Sequence, residues 1–266
     1  AGVTTDVALQ LQVLGAYSAT APYNCPKSAI ILSNACNRIA NKSFNVGAPG
    51  DPVLGLALLA SGNTNYLPKV RTYARSIAPA DLALRFAPGQ STAAHERGLW
   101  IWDYGYKGVF LAEYYLRTGD TNVLHGINEY AVALAQAQSR YGTFCHGGAL
   151  LNADGSFHGT VGPYGPVNSG GLVGNLAIVL GKKCLVASGS AVDDEIDPAI
   201  GRAANFFGYY VQKGGVPYGE HMPTQGGHNQ SGKDNLAGML FAMMGDQPAA
   251  TEYFTRMSVA GYNGRE

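Results

Sequence analysis

The sequence predicts an all-α fold built from repeated helical hairpins. Short segments that are apolar all round recur along the chain, each ends at a glycine, and each precedes a segment with apolar residues at three- and four-residue steps. A helix without a polar face must be buried on every side, whereas a helix with a single apolar stripe lies at the surface. No alternating apolar and polar pattern is long enough to predict a major sheet.

The apolar segments recur at regular spacing, and they are Val53–Ala60, Val109–Leu116, Leu172–Leu180 and Leu236–Met244. The glycines that end them, Gly62, Gly119, Gly181 and Gly245, are 57, 62 and 64 residues apart. Glycine is the common left-handed cap of a helix C-terminus. A weaker copy places Gly15 47 residues before Gly62. This regularity predicts about five copies of one hairpin unit.

The striped segments that follow predict an outer layer of helices. Their apolar positions are Leu67, Val70, Ala74 and Ile77; Val123, Ile127, Tyr130 and Leu134; and Ile196, Ile200, Ala203, Phe207 and Val211. An apolar inner ring wrapped by an amphipathic outer ring is an α/α toroid, predicted as a single domain over residues 1–266 with long Gly-rich loops on one face. The alternative is an open α-solenoid of the same hairpins. The last hairpin ends at "AGYNGRE" without a cap, so either the natural chain extends beyond Glu266 or the ring closes with five hairpins.

Composition narrows the class of protein. Lys+Arg and Asp+Glu both number 18 and no basic run occurs, so nucleic acid is not a predicted partner. Only 14% of residues are charged, with 36 glycines and 16 tyrosines, against about 25% charged in an average soluble domain. This profile, and the opening "AGVTTDVALQ" without an initiator Met, favour a processed, secreted or periplasmic protein. Low charge and abundant Tyr also suit self-association.

No apolar run approaches the roughly 18 residues that a membrane span needs, so none is predicted. The four cysteines, Cys25, Cys36, Cys145 and Cys184, include no CxxC pair. Cys25 and Cys36 are the candidates for a local disulfide, and buried free thiols are the alternative. No cofactor is predicted.

Three segments carry a resemblance to a known family: "WIWDYGYKGVFLAEYYLRTGD", "GPYGPVNSGGLVGNLAIVLGKKC" and "PYGEHMPTQGGHNQSGKDNLAGMLFAMMGD". They resemble a family of bacterial secreted proteins known only as a domain of unknown function, over most of the chain from about Gly47 onward. That family is similar in architecture to the six-hairpin glycosidases and the α/α-toroid polysaccharide lyases. The resemblance implies the toroid fold and supplies no catalytic residues.

In a ring of hairpins the loops that enter the inner helices share one face and line the mouth of a funnel. These loops are Ser43–Asp51, His95–Tyr106, Phe144–Gly171 and Val216–Asp234. They hold five of the six histidines, namely His95, His146, His158, His221 and His228. His125 falls on an outer helix, where a structural role is expected.

The aromatic run Trp100, Trp102, Tyr104 and Tyr106 stands at this predicted mouth. Flat rings with a polar edge can stack on the apolar faces of sugars. The alternative interpretation is that these aromatic side chains fill the centre of the toroid and pack the loops together.

Hydrolysis of a glycosidic bond needs two carboxyl groups about 5 to 9.5 Å apart, one of them a proton donor. The loops offer Asp51, Asp103, Asp154, Glu220 and Asp234. Asp103 with Glu220 is the preferred pair, because aromatic neighbours would desolvate Asp103 and Glu220 precedes His221. Asp234 is the reserve; in the first turn of an inner helix it would equally complement the helix dipole.

A polysaccharide lyase would instead need a base and a group that neutralises the substrate carboxylate. His146, His158 and Tyr164 are candidate bases, and Lys233 or Arg97 the neutralising cation. Asn168, Tyr218, His221 and His228 are further candidates for substrate contacts. The run "GPYGPVNSGGLVGN" lacks the features of a phosphate-binding loop, and Asn168 or Ser169 is expected to cap the following helix.

Two further alternatives come from other classes. "FCHGG", with Cys145 and His146, is similar to the zinc site of lanthionine cyclases, although zinc would need a third ligand such as His221 or His228. No metal is assigned in the preferred interpretation. The other alternative is a non-catalytic module that binds glycan or serves as a structural, self-assembling unit.

Overall fold

The structure is a computed structural model that describes residues 26–87, 100–147, 165–219, 222–223 and 230–263. These residues form two short 3-10 helices, Thr64–Tyr66 and Thr121–Val123, and no strand. Their α-helices are α1 (Pro26–Asn41), α2 (Asp51–Ala60), α3 (Leu67–Ile77), α4 (Trp100–Thr118), α5 (Leu124–Ala137), α6 (Asn168–Ser188), α7 (Ile196–Gly208), α8 (Gln230–Met244) and α9 (Gln247–Asn263). The all-α prediction is confirmed for this part of the chain.

The chain divides into two compact units, residues 1–43 and residues 44–266. The described part of the first unit is essentially α1, which begins at Pro26, and proline suits a first helical position because its fixed φ matches the helix. The second unit holds α2 to α9. A single domain over the whole chain stays a prediction.

Within the second unit the helices alternate between two roles in chain order. Helices α2, α4, α6 and α8 each pack against the next in that series, while α3 packs against α2 and α4, and α5 against α4 and α6. Helix α7 packs against α6, and α9 against α8. Helix α6 is buried along most of its length, from Asn168 to Leu185, as its apolar sequence predicts.

Three of the four predicted glycine caps are confirmed. Gly62, Gly119 and Gly245 follow helix ends with φ of 72°, 67° and 89°, values that other residues adopt at a cost. The prediction at Gly181 is wrong. Helix α6 continues to Ser188 and is capped by Gly189, with φ of 71°. Gly181 instead allows close packing, since a Cβ there would lie 2.9 Å from the Cβ of Ala131 on α5.

The contact between α4 and α6 is made through glycines. A Cβ on Gly105 would lie 3.2 Å from the backbone N of Gly174, and a Cβ on Gly108 would lie 2.8 Å from the Cβ of Ala177. Both distances are shorter than packed carbon atoms accept. The two helix backbones therefore approach directly, and any side chain at these positions would push them apart.

Residues 82–87, which we call the α5 strap, run along α5 without regular structure of their own. The contacts are Leu82 O with His125 Nε2 (2.7 Å), Leu84 N–H with Glu129 Oε2 (2.9 Å) and Phe86 N–H with Gln136 Oε1 (2.8 Å). His125, Glu129 and Gln136 are spaced to lie on one side of the helix. His125 lies on α5 and holds the strap, which is a structural role as expected from the sequence.

Glu129 carries the charged part of this contact. Its Oε1 accepts from Arg85 Nε at 2.7 Å, and Arg85 also donates to Asp193 Oδ2 at 2.7 Å. Burial alone would raise the pKa of Glu129, but the Leu84 N–H and the Arg85 guanidinium more than offset it, so the pKa lies below its usual 4.5. Glu129 therefore stabilises the folded state in its ionised form.

By length and composition alone, α6 is apolar enough to cross a membrane. The sequence expectation that no segment reaches this length is wrong for α6, because Lys182 and Lys183 interrupt the run without making the whole segment polar. Most of α6 is buried within the protein. That is the arrangement of a core helix, so the length carries little weight as a sign of a membrane span.

The glycine contact predicts opposite effects for one substitution at two helical positions. Gly108→Ala should be destabilising by about 1 kcal/mol, because overpacking costs about 1–3 kcal/mol and exceeds the helix-propensity gain. Gly201→Ala, in α7 with no heavy atom within 4 Å of the new Cβ, should be stabilising by about 0.5–1 kcal/mol. Urea unfolding of both variants checks this, and equal effects would refute the close contact.

The α5 strap predicts a pH-dependent loss of stability in Glu129→Gln. At pH 7 the variant should lose about 1–3 kcal/mol of unfolding free energy, because a hydrogen-bonded charge is removed. A carboxyl group whose pKa is lower in the folded than in the unfolded protein stabilises the fold at pH values above its unfolded pKa. This stabilisation is lost as the pH falls through the folded pKa. The deficit of the variant should therefore shrink below pH 4.5. Exposed Glu113→Gln is the control and should change stability by less than about 0.5 kcal/mol at either pH.

Candidate functional site

The structure describes part of the predicted site. Ten of the predicted site residues lie in the described part of the chain, and they are Trp100, Trp102, Asp103, Tyr104, Tyr106, His146, Asn168, Tyr218, Lys233 and Asp234. The other candidates lie outside the described ranges, and they are His95, Arg97, Asp154, His158, Tyr164, Glu220, His221 and His228. The predicted pairing of Asp103 with Glu220 therefore stays a prediction. Cys36, Cys145 and Cys184 are buried free thiols, which fits the free-thiol alternative and not a disulfide from Cys36 to Cys25, a residue outside the described ranges.

The aromatic run is helical, which corrects the prediction that residues 95–106 form a loop. Helix α4 begins at Trp100, so Trp100 to Tyr106 form its first two turns. Aromatic residues and Gly105 have modest helix propensity, and the tertiary contact with α6 overrides it. Asn168, Lys233 and Asp234 likewise lie inside helices α6 and α8.

The four rings fall into two rows on α4. The Trp102 and Tyr106 rings stack with centroids 5.9 Å apart, and both residues are half-buried. Trp100 is 7% exposed, and its ring lies 4.5 Å from that of Tyr104 and 6.1 Å from that of Phe86. The packing interpretation therefore fits Trp100, whereas Trp102 and Tyr106 are only partly buried.

Asp103 pairs with a buried lysine on its own helix. Lys107 Nζ donates to Asp103 Oδ2 at 2.7 Å, and the two side chains are 7% and 23% exposed. The other carboxylate oxygen, Oδ1, is buried and has no hydrogen-bond partner among the described residues. A buried ammonium needs a counter-charge, which Asp103 supplies. Lys107 was not among the predicted site residues, although its four-residue spacing from a residue of opposite charge was an available signal.

The charge of Asp103 acts on two tyrosines from neighbouring helices. Burial raises the pKa of Tyr73, on α3, and the charges of Asp51 and Asp103 raise it further. Burial also raises the pKa of Tyr130, on α5, with Asp103 adding to the effect. Both phenols are therefore protonated at neutral pH and act as hydrogen-bond donors, not as bases. Neither tyrosine was predicted as a site residue, because the stripe patterns of α3 and α5 indicate an outer position.

The Tyr130 hydroxyl is already engaged, since it donates to Ile77 O at 3.3 Å, and its ring meets Tyr104 edge-on at 5.2 Å. The Tyr73 hydroxyl is buried and has no partner among the described residues. Asp51, at the start of α2, is buried and accepts from Asn45 N at 2.7 Å. It thereby closes the turn that leads into α2.

Asn168 is a buried tie between α6 and the loop before α8. Its Nδ2 donates to Pro217 O at 3.1 Å and to Gly219 O at 2.9 Å, and its Oδ1 accepts from Thr143 Oγ1 at 3.2 Å. Its backbone N–H donates to Tyr218 O at 2.9 Å. The predicted capping role is wrong for Asn168, because Val167 occupies the cap position and no side chain caps the helix.

Asp234 ties the same loop from α8. Its Oδ1 accepts from Val216 N at 2.8 Å. Helix α8 begins at Gln230, so Asp234 lies in the second turn, and the prediction that it complements the dipole from the first turn is wrong. Its neighbour Lys233 is buried, and that burial lowers the Lys233 pKa although the charge of Asp234 partly offsets it.

Cys145 and His146 lie where the chain approaches the start of α4. His146 O accepts from Ile101 N at 3.1 Å, and Cys145 Sγ contacts the backbone of Gly147. The described residues contain no group of three His, Cys, Asp or Glu side chains that could hold a metal ion. The proposed third ligands, His221 and His228, lie outside them, so the zinc alternative stays a prediction.

A pocket of about 570 Å³ lies at the opposite end of the helices. It is lined by Leu116, Val179, Lys182, Lys183, Val186, Ala187, Ile200, Met243 and Met244. These residues come from the C-terminal parts of α4, α6 and α8, with one from α7. None of the site residues predicted from the sequence lines this pocket.

Comparison with known proteins identifies the family. Residues 28–266 match the domain of unknown function DUF6288, so the chain belongs to that family. No curated protein and no solved structure matches the chain. The family adds no activity, and functional inference depends on the geometry near the start of α4.

The Asp103–Lys107 pair predicts a strong coupling between the two side chains. Lys107→Met should lose about 2–4 kcal/mol of unfolding free energy, because breaking a buried pair leaves one charge without its partner. Adding Asp103→Leu should recover much of that loss, since replacing both members of such a pair is often close to neutral. A double-mutant cycle by urea unfolding measures this, and additive effects would show that the pair contributes nothing.

Proposed function

We propose that the chain is a secreted or periplasmic carbohydrate-active protein that hydrolyses glycosidic bonds at the N-terminal end of α4. The observation that carries the proposal is the partly buried Asp103 carboxylate, held by the buried Lys107 on the same two helical turns as the stacked Trp102 and Tyr106 rings. A carboxylate beside aromatic rings supplies one of the two carboxyl groups that glycoside hydrolysis uses, together with a surface on which a sugar can stack. The low proportion of charged residues supports the location outside the cytoplasm.

We also propose that the hairpins close into an α/α toroid. The alternating order in which α2 to α9 pack supports this arrangement. In such a ring the N-terminal ends of α2, α4, α6 and α8 share one face. Asp51, Asp103, Asn168 and Asp234 lie at or near those ends, and the first turns of these helices would form the funnel floor.

In the proposed reaction a sugar ring stacks on Trp102 and Tyr106. Water adds its hydroxyl to the anomeric carbon, the bond from that carbon to the bridging oxygen breaks, and a proton is delivered to the leaving oxygen. The ion pair with Lys107 suits Asp103 to the role of base or nucleophile, instead of the proton donor that its aromatic surroundings first indicated. Glu220 is proposed as the proton donor.

The proposed partner is a poly- or oligosaccharide. Elimination, as in a polysaccharide lyase, finds less support among the described groups near Asp103, because Tyr73 and Tyr130 are held protonated and cannot serve as bases. A non-catalytic glycan-binding or self-assembling module would use the same aromatic row without turnover. These two alternatives are outcomes of the following experiment.

The experiment incubates the protein with neutral and acidic polysaccharides and follows new reducing ends together with the absorbance of unsaturated uronates. Hydrolysis predicts reducing ends without the absorbance. Asp103→Asn should then lower the rate by about 10² to 10⁴-fold, as loss of an acid or base group does. The exposed Asp194→Asn is the matched control and should retain full activity.

Both signals together would indicate elimination and overturn hydrolysis. Binding without either signal would indicate the non-catalytic module. Hydrolysis that persists in Asp103→Asn would remove Asp103 from the mechanism.

A further inference from the structure

The pocket of about 570 Å³ at the C-terminal ends of α4, α6 and α8, which we call the α6 pocket, has the size of a small-molecule site. Such sites span about 300–1,000 Å³ and are lined mainly by apolar side chains. Seven of the nine residues that line the α6 pocket are aliphatic or methionine, and the other two are Lys182 and Lys183. Its residue Leu116 follows Asp103 on α4 by 13 positions, which corresponds to about 20 Å along the helix. The α6 pocket is therefore separate from the candidate site at Asp103.

One side of α6 forms the wall of the pocket. The α6 residues in the lining recur at three- and four-residue steps, and they are Val179, Lys182, Lys183, Val186 and Ala187. Residues at these steps lie on one side of a helix. Helix α6 packs against α4, α7 and α8, and these neighbours contribute Leu116, Ile200, Met243 and Met244. The α6 pocket is thus built entirely from packed helices.

The apolar surface of the α6 pocket runs from solvent to the core. Leu116 is 50% exposed and Val186 is 60% exposed, whereas Val179 is 4% exposed. Val179 belongs to the buried cluster against which Met243 and Met244 pack. Methionine side chains are flexible and adapt to ligands of different shape. A hydrocarbon that covers these side chains would remove apolar surface from water, which is favourable.

The two lysines give the pocket a positive charge. Lys182 Nζ pairs with Asp197 Oδ1 at 2.5 Å. Lys183 is exposed and has no ion pair or hydrogen bond among the described residues. A cation in the last turn of a helix is explained by the helix dipole, but the effect falls off beyond that turn, and the last turn of α6 contains no basic residue. The dipole therefore does not account for Lys183.

The lining restricts the chemistry of a ligand. None of the described lining residues is acidic, so the ammonium of Lys183 attracts an anionic group and repels a cation. A sugar would leave hydroxyl groups without partners against the aliphatic wall, which costs free energy. No aromatic ring is present on which a planar ligand could stack. A flexible hydrocarbon chain with one anionic end satisfies all three conditions.

We propose that the α6 pocket binds a free fatty acid of medium chain length. The hydrocarbon chain lies against Leu116, Val186 and the two methionines, and the carboxylate pairs with Lys183. Asp197 limits the strength of this pairing, because it neutralises the second lysine of the pocket. The inference goes beyond the proposed hydrolysis and does not depend on it, since the two sites share no residue.

The experiment titrates the whole chain with decanoate by isothermal titration calorimetry, below the concentration at which decanoate forms micelles. Decanol, with the same chain and no charge, and butyrate, with the same charge and a short chain, are the comparison probes. We expect decanoate to saturate at one molecule per chain. Decanol should bind about two- to five-fold more weakly, the value of an exposed ion pair. Butyrate should bind at least about ten-fold more weakly, because it buries fewer methylene groups.

Two charge variants should act in opposite directions. Lys183→Gln should weaken decanoate binding by about two- to five-fold. Asp197→Asn should strengthen it by a similar factor, because it releases Lys182 from its ion pair. Neither variant should change the binding of decanol. The matched control is Lys213→Gln, which removes an exposed lysine outside the pocket and should leave decanoate binding unchanged.

A third variant tests the wall itself. Val186→Asp places a carboxylate at an exposed position of the pocket, and it should weaken decanoate binding by at least about ten-fold through repulsion. The urea midpoint of Lys183→Gln should equal that of the wild type, which separates loss of binding from loss of folding.

The inference is overturned if decanoate does not bind or does not saturate, if butyrate binds as tightly as decanoate, or if Lys183→Gln binds like the wild type. A chain that ignores decanoate but forms a dimer that Val186→Asp dissociates would make the pocket a contact between copies. Binding to vesicles of anionic lipid without binding of decanoate would make it a membrane contact. Either result would also overturn the inference.

Discussion

The close approach of α4 and α6 is the contact on which the rest of the second unit depends. Gly105 and Gly108 remove the side chains that would otherwise separate the two backbones. Because both helices are rigid, this contact sets how far the first turn of each projects. The contact at Gly105 and Gly108 therefore positions Asp103 and the aromatic residues on α4. The same contact positions Asn168 on α6.

Polar residues near the helix starts fall into two groups. Asp51, Asn168 and Asp234 bond to the backbone of a neighbouring loop, at Asn45, at Pro217 and Gly219, and at Val216 respectively. Such bonds satisfy buried backbone groups and fix the loops. Asp103 differs, because the bond it makes is to a lysine side chain and one of its oxygens is left over. That contrast, and not its sequence context, separates Asp103 from structural carboxylates.

The sequence was most informative where one residue type has one role. The apolar runs predicted α6 as a buried helix, and Gly62, Gly119 and Gly245 ended helices as expected. Gly181 failed because glycine serves equally as a cap and as a close contact, and only the neighbouring Ala131 decides between them. The helical start at Trp100 was missed for a related reason, since it is set by packing against α6 and not by local propensity.

The candidate site was less predictable than the fold. Asp103 and the aromatic row could be found because they are adjacent in sequence. Tyr73, whose pKa the charge of Asp103 raises, could not be found, because it lies on a helix whose stripe pattern indicates only an outer position. Lys107 is buried, but a lysine within an apolar run would ordinarily be predicted to point toward solvent.

The α5 strap has a consequence for the order of events in folding. Its amides at Leu84 and Phe86 bond to side chains of α5 instead of to a regular backbone partner. The strap can therefore form only after α5 has brought Glu129 and Gln136 onto one side, and it must be released before α5 unwinds. Amide hydrogen exchange at these two positions would then report the release of the strap, and this release should need no more free energy than the unwinding of α5 that follows it.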